Sequence, residues 1–247
     1  MNLAIAPPVL SMTPELWNAT DDPFVLLDYK FPLTGADSVL AQTRKSKLYL
    51  VACARRLPFE LPWVLRTLIE YGRELAESPY QYTSEYRNEL RSLAEEMANT
   101  ADPESAAEEA ERRLARRGVN APPGSRAGLP ESRDWLGLAY LAFAPLSRVT
   151  PYYRYVPAAL HSVGLVRDVF EPVGVPRVSF SPEWRSTAVL ALAERMYRDQ
   201  DFAAMPVLHD ALMEAGCAAD AMLDHCKTPH GHVRGCWVVD IILRKPG

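Results

Sequence analysis

The chain has 247 residues, 48% of them hydrophobic and 23% charged, with a formal charge of −4. That is the balance of an ordinary soluble globular protein, long enough to bury one large core or two smaller ones, and it excludes disorder of the whole chain. The slight acidity supplies no overall attraction to nucleic acid or to an anionic membrane. No run approaches the roughly eighteen apolar residues of a spanning helix, and "MNLAIAPPVL" lacks the basic start and cleavage pattern of a secretion signal. A cytoplasmic protein without a membrane partner is expected.

In chain order the first half reads as helices separated by prolines. Thr13 as N-cap and Pro14 at the first helical position start a short helix in "MTPELWNA". Asp22 before Pro23 does the same for "PFVLLDYK". From Val39 to Leu57, apolar residues among basic ones suggest one or two amphipathic helices. Pro62 to Ser78 carries Trp63, Leu65, Leu68, Ile69 and Leu75 at helical intervals. The clearest period is Tyr82, Tyr86, Leu90, Leu93 and Met97. "DPESAAEEAERRLARRG" then places Asp102 as cap, Pro103 at the first turn, acids early and arginines late, with Gly118 as terminator. Glu108 with Arg112 and Glu109 with Arg113 have favourable helical spacing, so Arg112, Arg113, Arg116 and Arg117 read as a mixed solvated face ahead of a phosphate-binding patch.

"VNAPPGSRAGLPES" has almost nothing to bury and reads as a linker. The expected division is therefore a helical region 1–118, a linker or surface loop 119–132, and a second helical region 133–247. The second half begins with a buried helix in "RDWLGLAYLAFAPL", followed by a helix from about Val156 to Phe170 on which His161 is a packed or surface residue. Ser181 and Pro182 start a helix through Tyr197, a further helix runs to a stop at Gly216, and Asp220 caps the short "AMLDHC". The fold class is all-α, a multi-helix bundle with either one core or two helical subdomains.

Three of the four cysteines fall at or beyond position 217, and "DHCKTPHGHVRGCWVVD" packs two of them with three histidines. The stretches "LDHCKTPHGHVRGCWVVDIILRK", "LVRDVFEPVGVPRVSFSPEW" and "MTPELWNATDDPFVLLDY" resemble a lineage-expanded family of uncharacterised planctomycete proteins, whose members end in a His-Val-Arg-Gly-Cys-Trp-Val-Val-Asp motif and a short apolar tail. The resemblance spans about half the chain, strongly from Leu165 onward, and has no counterpart from about Pro58 to Arg154. It marks a family and implies no activity.

Cys226, His230, His232 and Cys236 are all zinc-binding types, but four ligands within eleven consecutive residues strain a tetrahedral site. Cys217, Cys226, His232 and Cys236 form the better set, with His230 as the alternate. The competing reading is a packed corner in which Gly231 and Gly235 shape a tight turn, Arg234 pairs with Asp240, and Trp237 opens a buried helix or, by propensity, a strand. Chemistry at Cys226 or Cys236 would need a base and an orienting acid, for which His225, His232 and Asp240 are available. No phosphate loop, two-histidine metal helix or nucleophile elbow is present. The expectation is a non-catalytic interaction or adaptor protein whose partner is another protein, with no cofactor required. The alternatives are a zinc-stabilised module binding nucleic acid through Arg112 to Arg117 or around Lys227 and Arg234, and a cysteine-dependent enzyme.

Overall fold

The computed structural model describes residues 12–30, 44–56, 61–78, 81–99, 102–123, 161–173 and 180–246. These form α1 (Pro14–Ala19), α2 (Pro23–Lys30), α3 (Arg44–Ala54), α4 (Trp63–Glu77), α5 (Ser84–Asn99), α6 (Pro103–Arg116) and α7 (Val163–Val169). They continue with a 3-10 turn (Pro182–Trp184), α8 (Thr187–Asp199), α9 (Met205–Glu214), α10 (Asp220–Cys226) and α11 (Trp237–Ile242). The fold is all-α, as the sequence patterning implies. Among the described residues there is no strand and no helix long and apolar enough to cross a membrane.

The chain groups into two units, one made of Met1–Ala36 with Ser162–Gly247, the other of Asp37–His161. The division expected at 119–132 falls inside the second of these, so that the chain's first helices join its last ones instead of their sequence neighbours. A physical reason is visible at α7. The Arg167 guanidinium donates to the carbonyls of Trp17, Asn18 and Thr20 at 2.6–2.9 Å, closing the C-terminal end of α1. Lys30 Nζ donates to the Glu171 carbonyl at 2.6 Å while lying over the Trp17 ring, and α2 packs on α7.

In the unit 37–161, α3 packs on α4, α4 on α6, and α5 on α6. The amphipathic pattern expected for α3 is not what forms, since every residue from Leu48 to Ala54 is buried while Lys45 to Lys47 are half-buried. Arg44, also buried, reaches Glu77 at 3.1 Å. The Tyr49 hydroxyl and His161 Nδ1 share a 2.6 Å hydrogen bond. Three of the four late arginines are paired, Arg112 with Glu109 at 3.2 Å, Arg113 with Glu109 and Glu96 at 2.8 and 3.1 Å, and Arg117, just past α6, with Glu89 at 2.5 Å, while Arg116 is exposed. This is the mixed face that the charge spacing implies.

The other unit has its core where α8, α9, α10 and α11 meet, around Val189, Met196, Leu208, Leu212, Met222 and Trp237. Two helix starts differ from expectation. Ser181 and Pro182 open only the 3-10 turn, after which Arg185 donates to the Ile242 and Ile241 carbonyls at the end of α11. Ser186 is the cap of α8, its hydroxyl accepting from the Val189 N–H at 3.3 Å. Asp220 is the first residue of α10, and Ala219 holds the cap position. The helix expected from Val156 cannot run through to Phe170, because Ser162 is extended and caps α7 through its hydroxyl; residues 151–160 lie outside the described residues, as does "RDWLGLAYLAFAPL". "CWVVDIIL" forms α11, and the strand alternative is excluded.

Candidate metal centre

α7 is a seven-residue apolar helix carrying one acid, Asp168, which is 3% exposed. A carboxylate there must be compensated by hydrogen bonds or opposite charge, and its partners all come from the C-terminal segment. Oδ2 accepts from the Val233 backbone N–H at 2.8 Å. Oδ1 meets His232 Nδ1 at 2.6 Å and His225 Nε2 at 3.1 Å.

Local sequence explains how three side chains reach this acid. His225 sits in the last turn of α10, and Cys236 in the cap position of α11. The loop between them turns at Gly231 and Gly235, with φ of 87° and 103°, a region that side chains beyond Gly rarely adopt. Arg234 anchors it by donating to the Tyr197 carbonyl at 2.6 Å and lying over the Tyr197 ring, at the C-terminal end of α8 where a cation is favoured.

The result is a convergence of donor atoms. His225 Nε2 stands 3.2 Å from Cys236 Sγ, and His232 Nδ1 stands 4.0 Å from it. The ligand atoms of Asp168, His225, His232 and Cys236 all lie within 4.8 Å of one another. Behind them, His232 Nε2 faces the Thr228 carbonyl at 2.9 Å. The Trp237 indole N–H donates to His225 Nδ1 at 3.2 Å.

The electrostatics follow from this packing. Burial works against ionisation of Asp168, but the hydrogen bonds of His225 and His232 overcome it and hold the carboxyl below its ordinary value. Burial likewise depresses His232, and the Asp168 hydrogen bond outweighs it, raising the imidazole above its usual range. Burial, reinforced by the Asp168 charge, pushes the Cys236 thiol well up. Burial takes Cys226 up to about 12.

Of the ligands expected from spacing, His232 and Cys236 are brought together here. Cys217 and Cys226 are buried in the unit's apolar core, and His230 is exposed. Asp168 and His225 complete the group without having been anticipated as ligands. The signal for Asp168 was a single acid inside the apolar run "GLVRDVF". For His225 it was the roughly 100° step between neighbouring helical residues, which sends Cys226 to the core and its neighbour elsewhere.

In this arrangement His225 is not placed as a base for the Cys236 thiol. The indole N–H can only donate, so His225 Nδ1 accepts and the proton of the neutral ring is on Nε2, the nitrogen that faces Cys236. A nitrogen already protonated cannot take the thiol's proton. No protein-family profile, curated protein or solved structure matches the chain.

Proposed function

We propose that the unit closed by the C-terminus is a zinc-holding helical module with a structural, non-catalytic role, presenting its helices for association with another protein. The observation that carries this reading is the convergence of four donor atoms within 4.8 Å. Asp168, His225, His232 and Cys236 supply one oxygen, two nitrogens and one sulfur, a set that suits Zn(II). Four protein ligands close a tetrahedral shell and leave no position for water or substrate, the mark of a structural rather than a catalytic zinc. Bound metal would convert the Cys236 thiol to the thiolate that burial alone disfavours. It would also tie α7 to α10 and α11, which are 57 and more residues away in sequence. The ion-paired face of α6 offers nucleic acid little free positive charge, which ranks the protein-binding reading above the nucleic-acid one.

The test is Co(II) substitution in the untagged, chelator-stripped chain, together with elemental analysis of the protein as purified. About one zinc per chain is expected, with visible d–d bands of tetrahedral Co(II) and a thiolate-to-metal charge-transfer band. Both spectral features should vanish in Cys236→Ser and survive in Cys226→Ala. No zinc on purification and no Co(II) spectrum would sink the reading.

A further inference from the structure

We propose that Trp237 is a latch on this centre: its indole holds His225 in the hydrogen-bonded, metal-free arrangement, and loading of a divalent cation releases it and shifts the start of α11. The inference rests on the metal reading above and concerns how occupancy of the site is communicated.

The outer hydrogen bonds of the ligands are of two kinds. Asp168 Oδ2 accepts from the Val233 N–H, and His232 Nε2 faces the Thr228 carbonyl as a donor. Both bonds persist, and orient the ligand, when Asp168 Oδ1 and His232 Nδ1 turn to a cation. His225 is arranged the other way. Its outer nitrogen, Nδ1, accepts from Trp237, so its inner nitrogen carries the proton, directed at Asp168 Oδ1 and Cys236 Sγ.

A cation takes the lone pair of Nε2, and the proton of the neutral imidazole must then reside on Nδ1. No proton is gained or lost by the ring in this exchange; it changes nitrogen through solvent. Two N–H groups then point at each other across 3.2 Å, and the Trp237 bond breaks. Trp237 is 1% exposed and is the first residue of α11, directly after the ligand Cys236. In a close-packed interior its ring cannot turn away without moving its neighbours. The entry of α11 is thereby coupled to whether the site is filled.

The experiment labels the tryptophan indoles of the stripped, full chain with 15N and titrates Zn(II), following the five indole N–H resonances while a chromogenic chelator measures bound zinc. The Trp237 resonance is assigned by its absence in Trp237→Phe or by its cross-relaxation to the His225 ring protons. The expected result is that this resonance moves upfield with stoichiometric zinc, as its hydrogen bond is lost. Stoichiometric zinc binding with an unmoved Trp237 resonance would overturn the latch and leave the metal centre standing. Absence of zinc binding would remove both. In a second arm, Trp237→Phe that remains folded should bind Co(II) roughly threefold to tenfold tighter, the equivalent of one hydrogen bond no longer sacrificed. Equal or weaker binding would count against the latch.

Discussion

His161 in the unit 37–161 and His232 in the unit closed by the C-terminus are both withdrawn from water, yet their surroundings assign them different work. His161 shares a hydrogen bond with the neutral Tyr49 hydroxyl, which also bonds a Cys53 thiol that burial pushes up to about 12. Among the described residues, no acid is seen to join this pair. His232 meets an ionised acid that a second histidine, a thiol and a backbone N–H also approach. A buried histidine becomes a candidate ligand when an anion gathers other donors around it, and apolar burial alone does not achieve this.

The contrast can be broken most directly at the acid. Asp168→Ala leaves His225, His232 and the Val233 N–H without their shared acceptor and should cost about 3–5 kcal/mol, the range for breaking a buried charged pair. Hydrogen exchange should show protection lost in α8–α11 and kept in α3–α6. Gly235→Ala comes next, at about 1–2 kcal/mol, because a side chain must be forced to φ 103° directly before Cys236. Chemical denaturation read on the same helices checks it. Tyr49→Phe in the other unit should cost about 0.5–1.5 kcal/mol, one ordinary hydrogen bond. If it cost as much as Asp168→Ala, the two histidines would be equivalent and the comparison would collapse.

Last comes a slope. In the metal-free protein the Asp168 hydrogen bond holds the folded His232 above its ordinary value, so its contribution is whole below the unfolded value. It fades as pH rises through the raised folded value. Denaturation midpoints of the stripped protein should therefore fall on going from pH 6 to pH 8, and His232→Gln should flatten that fall. A midpoint that rose with pH in the wild type would contradict the ion pair with Asp168.

Much of the helical framework was legible from local chemistry. Thr13, Asp22 and Asp102 cap as their side chains dictate, whereas Ser181 opens only a 3-10 turn and Asp220 falls one residue inside its helix. Two members of the donor cluster, His232 and Cys236, were legible by residue type and closeness. Asp168 was not, because its role depends on a contact spanning 57 residues to His225, and no local pattern records which acid a distant loop will cover. The same blindness applies to the division of the chain, where the contact grouping differs from the expected one. A proline-rich stretch looks like a boundary, while the contacts that define the units, such as Arg167 with α1, leave only one ambiguous arginine in the sequence.

Arg167 lies 150 residues beyond Trp17, which sets a clock on biosynthesis. At about 5–20 residues per second, roughly 8–30 s separate the emergence of α1 from the emergence of the guanidinium that closes it. Through that interval Trp17, Leu26 and Leu27, buried in the finished protein, wait on the ribosome with their intended cover unsynthesised. The newborn chain thus passes through a stage in which these apolar side chains are uncovered, a window of exposure that slower translation lengthens.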